Sequence, residues 1–309
     1  MARDLAAAAP RMPALVLGGG GAFGVIQAAY VHAALDRGFR PAVVVGTSVG
    51  ALNAAWVAMH PDRPDELLHI WLKLDELKLL RLNPMRIAAR LLRHPVSITA
   101  NDLVPRLLDQ HLAGATFEDT QIPLAVVATN LTRSRKHVFR SGSLRDAIIA
   151  STAIPGVFEP HEVNGELFLD GGLTASVDLA TAVDMGATEI LAIDLTPAPP
   201  TDTPKTALGV LRHSLGIMSH ATTDAMQACL ERQLPVRVLR PDLSRSSAWR
   251  MEDSAGAIAH NLKLARLELA AIFDSDGCLT SGVGSSLTPR PEPLPLAPSR
   301  FFHPRRHAG

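Results

Sequence analysis

Val43-Val-Val-Gly-Thr-Ser48-Val-Gly-Ala-Leu-Asn-Ala-Ala-Trp-Val-Ala58 joins a β-branched apolar run to a Gly-x-Ser-x-Gly pentad and then to a run of helix formers. The order predicts strand, sharp turn, helix, with Ser48 at the turn. Gly46 and Gly50 flank the serine, and a strand that reverses abruptly into a helix needs neighbours without a Cβ. The same turn puts Ser48 at a helix N-terminus, where unpaired N–H groups and the positive end of the dipole face a developing anion. By itself the pentad reads equally as a nucleophile elbow and as an ordinary glycine-serine turn.

Working outward, Ala14-Leu-Val-Leu17 runs into Gly18-Gly19-Gly20-Gly21-Ala22-Phe23-Gly24, and residues 25–35 have helical periodicity. This is a second strand, glycine turn and helix. Residues 43–47 follow closely, so the two strands are expected side by side and parallel. Both turns then open at the carboxyl edge of one sheet, where open α/β folds bind ligands. Further buried strands are expected at 123–130, 137–139, 189–195 and 235–239, and a hairpin about Asn164-Gly165. Helices are expected at 144–151, 180–185, 207–232 and 257–273. Residues 64–115 are amphipathic and read as a helical cap inserted into an α/β domain spanning 13–274.

Composition narrows the function classes. The chain has 309 residues, 47% of them hydrophobic, and 30 basic side chains balance 30 acidic ones. One large domain with a substantial core is expected, and no basic footprint for nucleic acid is present. The uncharged stretches 12–35 and 41–61 reach membrane-spanning length. Internal glycines and, in the second, Thr47, Ser48 and Asn53 make each a buried strand, turn and helix instead. Cys229 and Cys278 lie far apart and suggest neither a disulfide framework nor a zinc site. A cytoplasmic location is therefore expected. Residues 1–12 read as a flexible leader, and the Gly/Ser- and Pro-rich stretch 275–309 as a disordered tail. Arg86, Arg90 and Arg93 recur on one face of the cap. That face suits peripheral contact with an anionic lipid surface, or simply water.

Gly19-Gly-Gly-Ala-Phe-Gly24 also matches the dinucleotide fingerprint. That reading needs an acid at the end of the second strand to hold a ribose. The strand ends in Gly46-Thr47-Ser48, and Asp36 lies within the intervening helix, so the dinucleotide reading fails. A glycine turn beside a raised serine has another use. Its N–H groups can hold the oxyanion formed when a serine attacks an ester, each donor being worth on the order of 3 kcal/mol. The candidate donors are Gly19, Gly20, Gly21 and Ala22, with Val49 after the serine. Twelve histidines are available as a base, yet those following the elbow in an α/β-hydrolase order, His213, His220 and His260, fall within predicted helices rather than at strand ends.

Four blocks in order, Gly19-Gly20-Gly21-Ala22-Phe23-Gly24, Gly46-Thr47-Ser48-Val49-Gly50, Ala150-Ser-Thr-Ala-Ile-Pro155 and Asp170-Gly171-Gly172, resemble the patatin-like phospholipases. The resemblance implies a three-layer α/β/α fold with a mainly parallel sheet. It implies a serine acyl hydrolase working on lipid or acyl esters through a Ser48-Asp170 dyad, with no histidine, metal or cofactor. An acyltransferase using the same acyl-enzyme and a catalytically silent lipid-binding protein are the alternatives. A dyad of this kind needs a desolvated carboxylate touching the hydroxyl. Leu167-Phe-Leu169 bring Asp170 in on an apolar run, and Gly171-Gly172 let the chain turn away. Family members usually carry Arg or Lys at the position of Phe23, and often Asn-x-Pro in the segment that is 173–179 here. Both departures bear on substrate identity.

Overall fold

The computed structural model describes residues 10–76, 103–197, 206–243, 254–274 and 277–280. The elements in order are β1 (Pro13–Leu17), α1 (Gly24–Asp36), β2 (Val43–Thr47), α2 (Val49–Met59), α3 (Pro64–Glu76), α4 (Leu103–His111), β3 (Leu124–Asn130) and β4 (Arg135–Phe139). There follow α5 (Leu144–Ser151), β5 (His161–Val163), β6 (Glu166–Asp170), α6 (Leu179–Asp184), β7 (Glu189–Ile193), α7 (Ala207–Leu230), β8 (Val236–Leu239) and α8 (Ser254–Ile272).

Five strands, β8-β7-β1-β2-β3, pair in parallel. They are apolar at almost every position because both faces are covered, as a parallel sheet flanked by helices requires. Alternate residues divide between two cores. Leu15, Leu17, Val44, Val126 and Leu191 face α1, α2 and α8. Ala14, Val16, Val43, Val45 and Ile190 face α6 and the end of α7. The three-layer α/β/α arrangement with a mainly parallel sheet is thus the fold of this chain.

The remaining strands are antiparallel and decide where the site forms. β3 pairs with β2 through Val44↔Leu124 to Thr47↔Val127. β6 continues from there with Ala128↔Asp170 to Asn130↔Phe168. β4 overlaps both registers and so occupies the opposite edge of β3. β2 and β6 therefore share one edge and run toward each other. The hairpin feeding β6 turns at Asn164 and Gly165, φ 52° and 78°, the paired left-handed conformations of a tight hairpin.

Two segments outside the sheet pack against the core. The described parts of the region read as a cap do not stand apart: Leu67, Leu68 and Trp71 of α3 and Val104 and Leu108 of α4 join the same core as α1. Their apolar stripes need a partner, and the helix layer supplies it. Arg86, Arg90 and Arg93 lie outside the described residues. Within the expected tail, residues 277–280 fold back. Leu279 is 4% exposed, bridges Phe273, and donates its N–H to Glu189 at 3.0 Å. Leu279 belongs to the same apolar cluster as Phe39 and Phe273. Among the described residues no helix is long and apolar enough to cross a membrane.

Candidate active site

Ser48 stands between β2 and α2 with φ 54° and ψ −127°, a left-handed conformation that costs a side-chain-bearing residue energy and persists only when its surroundings impose it. The crowding around it is severe: a Cβ on Gly50 would lie 2.1 Å from the carbonyl oxygen of Leu17, so only glycine lets α2 start this close to β1. Ser48 is 6% exposed. Its N–H donates to Ser151 Oγ at 2.8 Å, and Ser151 in turn donates to the Val127 carbonyl at 2.6 Å.

Asp170 arrives from the opposite direction at the end of β6. Ser48 Oγ donates to Asp170 Oδ2 at 2.5 Å, a distance in the range of charge-assisted O–H···O⁻ bonds. The second carboxylate oxygen accepts the Gly172 N–H at 2.7 Å. The Asp170 N–H donates to Ala153 at 2.9 Å, and its carbonyl accepts Thr129 Oγ1 at 2.9 Å. Gly171 lies where the ends of β2 and β6 converge, and a Cβ there would come within 2.2 Å of the Val127 carbonyl oxygen. Burial raises the Asp170 pKa to about 6, against the bonds from Ser48 and Gly172, which favour the carboxylate. The result is a carboxylate that holds a proton more tightly than an exposed aspartate does.

The glycine loop passes directly over the serine. A Cβ on Gly19 would lie 3.2 Å from Ser48 Cβ. The N–H of Gly19, expected among the oxyanion donors, is already engaged by the Ser176 carbonyl at 3.2 Å and is therefore not free to hold an anion. Among the described residues the N–H groups of Gly20, Gly21 and Ala22 have no such acceptor, and Val49 opens α2, where helical N–H groups lack partners. Phe23 is 5% exposed and packs into the core, where it is an apolar anchor for the loop.

Among the described residues no histidine bonds to Ser48 or Asp170. His220 Nε2 meets the Pro197 carbonyl at 3.1 Å, and His260 Nε2 meets Asp242 at 3.2 Å. Likewise, no group of three or more His, Cys, Asp or Glu is placed to hold a metal ion among these residues. What sequence reasoning missed is the work of the block at 150–155. Ser151 holds Ser48 and Ala153 holds Asp170, so one short segment ties both partners. Nothing local announces this, because both contacts depend on where β3 puts the three segments.

The sequence profile of the patatin-like phospholipases matches residues 15–183, more than half of the chain. An uncharacterized NTE family protein of Mycobacterium tuberculosis, Rv1063c, is 35% identical over 188 residues, which cover 60% of this chain and 49% of that protein. Lysophospholipase NTE1 of Phaeosphaeria nodorum is 28% identical over 181 residues, 59% of this chain and 12% of that one. The chain thus spans about half the length of the mycobacterial relative and far less of the fungal one. Among solved structures, VipD from Legionella pneumophila superposes with a TM-score of 0.50 at 17% identity, covering 83% of this chain and 66% of that chain, a likeness of fold. With the profile spanning the glycine loop, the elbow and the Asp-Gly-Gly block, the chain belongs to the patatin-like phospholipase family.

Proposed function

We propose that this chain hydrolyses carboxylic esters of lipids through an acyl-enzyme on Ser48, with Asp170 as the base. The observation that carries the reading is the 2.5 Å contact between Ser48 Oγ and a buried carboxylate. Membership of a phospholipase family and the lysophospholipase name of the fungal relative support a lipid substrate.

In this reading the Ser48 hydroxyl proton passes to Asp170 Oδ2 as Oγ bonds to the ester carbonyl carbon. The oxyanion is received by N–H groups drawn from Gly20, Gly21, Ala22 and Val49. As the tetrahedral species collapses, the ester C–O bond breaks and the alcohol leaves with the proton from Asp170. Water then attacks the acyl-serine, giving a proton to Asp170, and the acid departs as Ser48 takes that proton back. A base with a pKa near 6 suits both directions of transfer at neutral pH.

The test is incubation of the folded protein with a fluorophosphonate, mapping of the adduct, and assay against p-nitrophenyl acyl esters and lysophospholipids. The reading expects one adduct, on Ser48, and release of free acid. Absence of the adduct in folded protein overturns it. Transfer of the acyl group to added alcohol in preference to water would replace hydrolase with acyltransferase.

A further inference from the structure

Three side chains from three helices form a buried chain of hydrogen bonds beneath the glycine loop. Trp71 Nε1 on α3 donates to Asn53 Oδ1 on α2 at 2.9 Å. Asn53 Nδ2 donates to Gln27 Oε1 on α1 at 2.9 Å and to the Gly24 carbonyl at 3.0 Å. Gln27 Nε2 donates to the Gly18 carbonyl at 3.0 Å and lies 3.5 Å from that of Ile193. Gln27 and Asn53 are 0% and 1% exposed.

The direction of this chain is fixed at both ends. An indole N–H can only donate and a peptide carbonyl can only accept. Asn53 must therefore turn its oxygen to Trp71 and its nitrogen to Gln27, and Gln27 must turn its nitrogen to Gly18. The carbonyls it reaches, Gly18 and Gly24, bracket the loop 19–23. The peptide joining Gly18 to Gly19 is held on both sides, its carbonyl by Gln27 and its N–H by Ser176. The free N–H groups of Gly20, Gly21 and Ala22 begin immediately beyond that fixed peptide.

Glycines carry no side chain with which to lock themselves, and their backbone freedom is large. Donors that must be aimed before the oxyanion forms need an outside constraint. We infer that Gln27, Asn53 and Trp71 are positioning residues that clamp both ends of the glycine loop and thereby aim its N–H groups at the oxyanion. The inference rests on the acyl-hydrolase reading above. It has a distinctive energetic consequence. Each single replacement leaves a buried partner unpaired and so costs some stability, while the loss that marks a clamp is one of transition-state binding, which persists per titrated site in the protein that has folded.

The test uses Trp71→Phe, Gln27→Met and Asn53→Leu in the full chain, with kinetics referred to active sites titrated by fluorophosphonate. Each variant is expected to lower kcat about 10- to 100-fold with KM within about twofold, since ground-state binding is untouched. Affinity for an acyl trifluoromethyl ketone, which forms a hemiketal oxyanion on the serine, should weaken by the same factor as kcat/KM. Pairing Trp71→Phe with Gln27→Met should cost little more than the worse single change, because one chain is cut twice. Should one variant fail to fold, the other two carry the comparison. Unchanged kcat per titrated site in folded variants, or a loss confined to KM or melting temperature, overturns the clamp alone. A wild-type protein that takes no adduct on Ser48 overturns the acyl-hydrolase reading and the clamp with it.

Discussion

Ser48 Oγ and Asp170 Oδ2 meet at 2.5 Å because β2 and β6 approach from opposite directions along one edge of β3 and stop at consecutive residues of it, Val127 and Ala128. The proximity is set by strand register, so it survives isosteric change of either side chain. Ser48→Ala and Asp170→Asn are each expected to lower kcat on the order of 10³-fold or more, with an unchanged circular dichroism spectrum. His213→Gln, His220→Gln and His260→Gln should stay within about twofold of wild type in the same esterase assay. An essential histidine would contradict the dyad.

The raised pKa of Asp170 sets a pH profile. Only the carboxylate accepts the serine proton, so kcat/KM should rise with pH through about 6 and level off above it. Stability runs the other way. The folded pKa lies above the ordinary value of 3.8, so this group's contribution to stability is complete below that value and is lost as pH rises through about 6. Asp170→Asn removes the effect. Melting temperatures of the two proteins at pH 4.5 and pH 8 should show the variant gaining on wild type at the higher pH.

Ser151 is expected to matter for both stability and rate. Its hydroxyl joins the Ser48 N–H to the Val127 carbonyl, and Ser151 is fully buried. Ser151→Ala leaves both backbone groups unpaired, at a cost of about 1–3 kcal/mol, read as a shift in denaturant midpoint. It also loosens Ser48, the strained residue proposed as the nucleophile. We expect kcat per titrated site to fall while KM holds.

The segment around Leu279 should behave as core. Leu279→Ala removes a side chain that is 4% exposed and is expected to cost about 2–5 kcal/mol in chemical denaturation. Leu267, 63% exposed on α8, provides the contrast, and Leu267→Ala should stay within about 0.5 kcal/mol. Equal effects at the two sites would place Leu279 outside the core.

Much of this protein is legible in its sequence, for a local reason. β-branched runs covered on both faces, glycines at abrupt turns and helix formers after them are correlations within a few residues, and they mark β1, β2, the elbow and the glycine loop. The Asn164-Gly165 hairpin is legible in the same way, since left-handed φ at two adjacent residues is a property of those residues. Asp170 was identified through resemblance to a family, and its apolar run and double glycine are consistent with that.

Tertiary structure decided what depends on distant segments meeting. That the Gly19 N–H is spent on Ser176, that Ser151 and Ala153 hold the two partners, and that Gln27, Asn53 and Trp71 join beneath the loop all follow from the alignment of strands and helices around β3 and β1. Leu279 returned to the core, and α3 and α4 joined the helix layer, because each found an apolar partner that composition alone does not reveal. Sequence determined the local geometry of the turns; the register of β6 on β3 determined which carboxylate stands beside Ser48, because pairing energy is spread over backbone contacts that no single residue encodes.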